Sequence, residues 1–346
     1  MRIAVIVVLA TASAVAQSFD SGCALAQDRD RPKVMVTIPA LKAVADEVAG
    51  GDFEVIALSK GDQDVHSVSP TPSLMKKLRE AALFVEIGLQ LEIWADEVAN
   101  GSGNTDVQRA GKFRIVASAG IPREEVPSAA DVTRAKGDVH PDGNPHIWLD
   151  PLKTKAIAAN IAAGLQKVDA SKTAAIDGRL KAYHAKIDEA VFGADLVKEV
   201  GGKALSRKAA DGTLFAYLKE SKLEDKIGGW LKKAQPLRGQ KVIEYHKSWI
   251  YLARLLGFEV VGSIQPLPGI EPGPRHLQDL RDLIKAQGVR ILLIDNYYNI
   301  SLAKSVAQDT GTKAVVVPSQ PYGEKGTETV FKFVDHVLDQ MLEALK

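Results

Sequence analysis

The stretch KVMVTIPALKAVADEVAGGDFEVIAL, residues 33–58, decides the fold. Its first run, 34–38, is apolar and rich in β-branched side chains, the composition of a strand covered on both faces. Residues 41–49 then place apolar side chains at helical spacing and stop at Gly50-Gly51, where a helix can end in a left-handed turn. Residues 53–58 return to strand character. Strand, helix and strand in so short a span make a βαβ unit, whose strands run parallel because the helix carries the chain back to the same edge. The alternation continues outward in a helix at 72–80 and strands at 83–87 and 114–117. It resumes in strands at 241–244, 258–264, 291–294 and 314–317, with helices at 248–256, 275–287 and 301–310 and a last helix from about 329 to 345. Between the groups, residues 152–191 are rich in Ala, Lys and Leu and free of Pro, which predicts a long helical connection, with a second helical run from Ser171. The expected architecture is α/β: two lobes with parallel sheets, residues 27–151 and 192–346, joined by a long rigid helix in 152–191. Residues 193–238 read as short helices around Trp230 and loops, and the lobes are alike in kind only.

Composition narrows the function. The chain has 346 residues, 46% hydrophobic and 25% charged, as in ordinary globular proteins. Lys+Arg 44 against Asp+Glu 43 leaves a net charge of +1, which argues against nucleic acid as a partner. One Cys excludes an internal disulfide framework and a multi-thiolate metal site, so any metal chemistry must use His and carboxylates. Residues 1–26 read as an export signal, with Arg2, an apolar run at 3–16 and Ala24-Leu25-Ala26 before Gln27, which sends the mature chain to the periplasm. Cys23 offers lipid anchoring as the alternative, against which Asp20-Ser21-Gly22 lacks the Leu usual three residues ahead of such a Cys. No later segment has the ~20 consecutive apolar residues of a membrane span.

Three histidines stand where strands or loops give way to helices. His66 follows the strand at 53–58 and precedes Ser69-Pro70-Thr71-Pro72, His146 lies just before the long connection, and His246 follows the strand at 241–244. In open α/β sheets, ligands bind beyond the carboxyl ends of strands. Each histidine alone reads as a turn residue; together they form a donor set suited to a borderline metal such as zinc. His140 is a lesser candidate, solvent-exposed or supporting. His184, His276 and His336 fall in helical patterns and read as surface residues.

The strings DVHSVSPTP (64–72), GNPHIWLDP (143–151) and EYHKSWIY (244–251) resemble the metal-site motifs of periplasmic zinc and manganese ABC-transporter substrate-binding proteins. GLQLEIW (88–94) is similar to the family's G-x-x-L-E-x-W, and PLPGIEP (266–272) supports the match in the second half. The resemblance implies two α/β lobes on a rigid helix with the metal in the cleft between them. It implies high-affinity capture of a divalent transition metal, delivery to an ABC permease in the inner membrane, a monomer and no enzymatic role. It also implies four ligand positions, the first three filled by His66, His146 and His246. A histidine at the third resembles the zinc branch, so Zn2+ is the expected cargo and Mn2+ the alternative, harder cations preferring oxygen donors.

The fourth position departs from the family, because Gln320 falls where relatives carry Asp. Asp295, at the end of the strand at 291–294, is the expected substitute; a turn carboxylate beside Asn296 is its other reading, and a water could complete the shell instead. Glu86, Glu92, Trp94, Trp148 and Trp249 read as packing or supporting groups. A zinc hydrolase is the competing class, against which there is no H-E-x-x-H or G-x-S-x-G string. A surface adhesin on the same fold is the third.

Overall fold

In the computed structural model, residues 31–128, 140–266 and 269–346 are described; the export segment with Cys23, and Leu267-Pro268 of the supporting motif, lie outside them. The first sheet is built from β1 (Lys33–Val36), β2 (Glu54–Ala57), β3 (Ala81–Glu86) and β4 (Arg114–Val116), interleaved with helices α1 (Pro39–Ala49), α2 (Pro72–Arg79) and α3 (Trp94–Ser102). Its order is β2-β1-β3-β4, every pairing parallel. Then come α4 (Pro151–Val168), α5 (Thr173–Phe192) and four short helices, α6 (Ala194–Val200), α7 (Gly202–Ala210), α8 (Leu214–Glu220) and α9 (Gly229–Lys233). The second sheet contains β5 (Lys241–His246), β6 (Glu259–Gln265), β7 (Ile291–Asp295) and β8 (Lys313–Val317), with α10 (Ile250–Leu256), α11 (Pro274–Gln287), α12 (Ile300–Thr310) and, last, α13 (Val330–Glu343). Its order, β6-β5-β7-β8, is also all parallel. The lobes therefore share one strand order, a closer likeness than the sequence suggested.

Both faces of each sheet are covered, which is why the strands read as continuous apolar runs. Met35 and Phe84 pack with Leu78 and Trp94 under α2 and α3. Ile243, Leu292 and Ile294 pack with Leu280 and Val306 under α11 and α12. The alternate residues, Val34, Val36, Leu83 and Val85 in one sheet and Val242, Ile291 and Leu293 in the other, belong to one continuous core that also takes in Ile161, Ile187 and Val337. That shared core makes Pro32–Lys346 a single compact unit.

The helical connection arrives in two pieces. α4 starts at Pro151 with the Asp150 carboxylate accepting from Leu152 N–H, and ends at Asp169, whose side chain caps the next turn. α5 packs back along α4 and also lies on α1 and α9, so it bridges the lobes. Arg179 on α5 pairs with Asp52, and Lys155 on α4 with Asp188 on α5. Where α5 ends, Gly193 has φ 85. A Cβ there would come within 2.5 Å of the Gly228 backbone, so only glycine allows this close approach. Among the described residues no helix is long and apolar enough to cross a membrane.

Candidate metal centre

The chain brings the three histidines to the carboxyl ends of the strands. His246 is the last residue of β5; His66 lies in a 3-10 turn, Val65–Ser67, beyond β2; His146 precedes the turn Ile147–Leu149 that leads into α4. Their ring centroids form a triangle with sides of 5.3, 5.5 and 5.7 Å. One ligand nitrogen from each lies within 4.8 Å of the others, the one such group of His, Cys, Asp or Glu among the described residues. His146 and His246 are 1% and 2% exposed, while His66 sits nearer the rim.

Each ring is fixed through Nδ1. His66 donates from Nδ1 to Asp64 Oδ1 at 2.9 Å, and its backbone N–H donates to the same oxygen at 3.0 Å. His146 repeats the device with Asn144 Oδ1, at 2.9 Å from both the ring and the backbone. His246 Nδ1 faces the Gln265 carbonyl at 3.4 Å. A carboxylate, an amide oxygen and a carbonyl can only accept, so the proton resides on Nδ1 and the lone pair on Nε2. Nε2 of His146 is buried without a protein partner. Burial, then the neighbouring His66, holds His146 well below the usual imidazole range, and the same causes bring His246 down to about 3. Burial works against the Asp64 carboxylate, but its bonds to His66 hold it below the usual carboxylate range. His146 and His246 are thereby held as neutral imidazoles, the form in which histidine binds metal, with the ligand nitrogens of all three rings converging.

The surrounding indoles tie the site together. Trp148, 5.2 Å from the His146 ring, donates from Nε1 to the Ser319 carbonyl at 2.8 Å, and Trp94 donates to the Val65 carbonyl at 2.9 Å. Trp249 donates from Nε1 to Asp295 Oδ1 at 3.0 Å. Asp295 is fully buried, burial pushes its carboxyl up to about 8, and Oδ2 has no partner, yet it is not in the three-histidine group. Gln320 is also buried; its Nε2 donates to the Lys60 carbonyl at 3.4 Å, and its Oε1 is unpartnered.

Other expectations need correction. His140 is half-buried, with Nε2 3.2 Å from Nε2 of His66. His184, His276 and His336 are half-buried rather than on the surface: the first two bond the Lys155 and Ser263 carbonyls at 2.9 and 3.0 Å, and the third faces Glu324 at 3.4 Å. Asp64 and Asn144 went unassigned in the sequence, although an acid or amide two residues before a histidine occurs in both motifs and is the readable signal.

Residues 34–191 and 217–344 match the family model described as zinc-uptake complex component A, periplasmic (ZnuA). The chain belongs to this family. Over 291 residues it is 21% identical to the zinc-binding protein AdcA of Streptococcus pyogenes, covering 82% of this chain and 50% of AdcA. It is 28% identical over 178 residues to the high-affinity zinc uptake system protein ZnuA of Brucella abortus, covering 51% of this chain and 42% of that one. The chain thus spans about half the length of the curated relatives it matches. The solved periplasmic zinc-binding protein TroA from Treponema pallidum shares the fold at a TM-score of 0.68, 20% identity and coverage of 91% and 99% of the two chains.

Proposed function

We propose that this protein captures Zn2+ outside the cytoplasm, holds it between the two lobes on His66, His146 and His246, and delivers it to an ABC permease in the inner membrane. The observation that carries this reading is the set of three Nδ1-tethered imidazoles whose ligand nitrogens all lie within 4.8 Å of one another. Zinc is preferred over manganese because the donors are nitrogens, and a harder cation favours oxygens. Family membership supports a transport role rather than catalysis and an extracytoplasmic place of work. The reading includes a monomer released into the periplasm by removal of residues 1–26, with the lobes at 27–151 and 192–346. Asp295, expected as the fourth donor, remains a candidate, and the function does not depend on it.

Titration of the metal-stripped full chain against a competing chelator tests the proposal. Zinc should raise stability by about 4 kcal/mol when free ion stands at 1,000 times Kd. His66→Ala, His146→Ala and His246→Ala should each weaken zinc binding by at least about 100-fold, the upper end of what loss of a group merely supporting a ligand costs. Wild-type affinity in all three variants overturns the site, and a preference for Mn2+ over Zn2+ overturns the cargo.

A further inference from the structure

His140 has no place in the three-histidine group, yet its ring meets that group directly. We propose that His140 supplies a fourth imidazole to the ion, at the position for which the sequence offered Asp295. This rests on the three-histidine reading above and specifies the ligand set of the same site.

The two Nε2 atoms of His66 and His140 are 3.2 Å apart, with ring centroids at 5.2 Å and planes inclined by 36°. Around a tetrahedral zinc with Zn–N bonds of about 2.0–2.1 Å, neighbouring ligand nitrogens stand about 3.3–3.4 Å apart. The observed spacing, bridged by a hydrogen, is within about 0.2 Å of that of two nitrogens sharing one ion. Since Asp64 keeps the His66 proton on Nδ1, the hydrogen between the two Nε2 atoms belongs to His140. An ion arriving at that point takes the place of this hydrogen. The proton has somewhere to go, because the Leu89 backbone carbonyl faces the His140 ring and can accept it from Nδ1. Coordination thus requires a change of tautomer in His140, with the proton moving from Nε2 to Nδ1, and no net release.

The alternative donor, Asp295, keeps Oδ2 unpartnered but stands outside the three-histidine group and is tied to an indole. Asp295 Oδ1 already accepts from Trp249. His140 lies on the loop that carries His146, its carbonyl accepting from Gly143 N–H at 3.1 Å, while Asn144 is anchored by Tyr251 Oη, which donates to its carbonyl at 2.6 Å. His146 is fixed by this anchor, and His140, half-buried and in ring contact with His66, closes the shell from outside by moving toward the other two histidines, since its ligand nitrogen does not lie within 4.8 Å of all three.

X-ray absorption on the zinc-loaded full chain counts the imidazoles, and chelator competition gives the affinity. Four imidazoles are expected in the wild type and three in His140→Ala and in the shape-conserving His140→Asn, each with affinity lowered at least about ten-fold. Asp295→Ala and Gln320→Ala should retain four. A wild type with three imidazoles and an oxygen, or a His140→Asn protein with unchanged count and affinity, overturns the assignment to His140. If His66→Ala, His146→Ala and His246→Ala also bind as the wild type does, the three-histidine reading falls with it; if those three lose binding, only the fourth ligand is wrong.

Discussion

In the first lobe His66 sits in a turn beyond the end of β2 and is held by the Asp64 carboxylate, whereas in the second His246 is itself the last residue of β5 and faces only the Gln265 carbonyl at 3.4 Å. A strand end fixes its side chain through the ladder; a turn must recruit a neighbour to do so. Each lobe also buries one glutamate among backbone N–H groups. Glu92 accepts from Ile87 N–H at 2.8 Å, Gly88 N–H at 3.1 Å and the Thr37 hydroxyl at 2.6 Å. Glu244 accepts from Ser248 and Trp249 N–H at 3.1 and 3.0 Å and from the Ser263 hydroxyl at 3.2 Å. The two carboxyls organise loops at matching ends of like sheets, but only Glu244 shapes the turn that follows one of the three clustered histidines, His246.

The largest effect should come from deleting these carboxyls. Glu244→Ala and Glu92→Ala each leave several buried donors unpaired at about 1–3 kcal/mol apiece, so chemical denaturation should show each variant destabilised by about 4 kcal/mol. Glu244→Ala should also weaken zinc binding and Glu92→Ala should not; equal losses of affinity would break the contrast between the lobes.

Acidity sharpens it next. Burial, then the charge of Glu86, pushes the Glu92 carboxyl from 4.5 up to about 7. The folded protein therefore keeps a proton that the unfolded chain releases above about pH 4.5. The stability this group contributes is fully present below that pH and is lost as pH rises through about 7, a change of about 3 kcal/mol. Denaturation of Glu92→Gln at pH 5 and pH 8 should show that part of the decline removed, and an undiminished decline would contradict the assignment.

The smallest effect concerns the tethers. Asp64→Ala and Asn144→Ala should each lower zinc affinity by about 10–100-fold, as removal of a ligand's hydrogen-bond partner does elsewhere. Asp64→Ala should cost more, because a carboxylate makes the stronger, charge-assisted bond to the imidazole. Chelator competition on the two variants decides the order.

Much of this was legible along the chain. The βαβ pattern at 33–58 reproduces β1, α1 and β2 to within a residue or two, since a strand buried on both faces cannot hide its apolar run. α3 escaped notice because it begins at Trp94 inside a motif read for its chemistry and has no capping side chain at Ile93. The helices α6 to α8 run to only seven or nine residues, too short for a clear period. The break after α4 was legible as the second helical run from Ser171, and Asp169, two positions before the Ser171 N–H it caps, is the residue that makes it. The three histidines that cluster were visible because turns carry them in compact strings. The contact of His140 with His66 was hidden because the two lie 74 positions apart, and no local pattern reports such a contact. The setting of Asp295 was hidden likewise, being fixed by an indole 46 positions distant.

The seam beside the site has a consequence for how the protein matures. The Gln320 amide reaches the Lys60 carbonyl across 260 positions of chain, and at the adjoining Gly61 a Cβ would stand 2.3 Å from the Tyr322 carbonyl carbon. Contacts between residues so far apart carry the loop-closure entropy of everything between them, so they form slowly, once most of the chain is already ordered. His66 and His246 meet on those same terms. A growing or half-folded polypeptide therefore does not bring the three imidazoles together, and on the proposed reading ion capture becomes a property of the finished fold, a built-in proof that both sheets have been assembled.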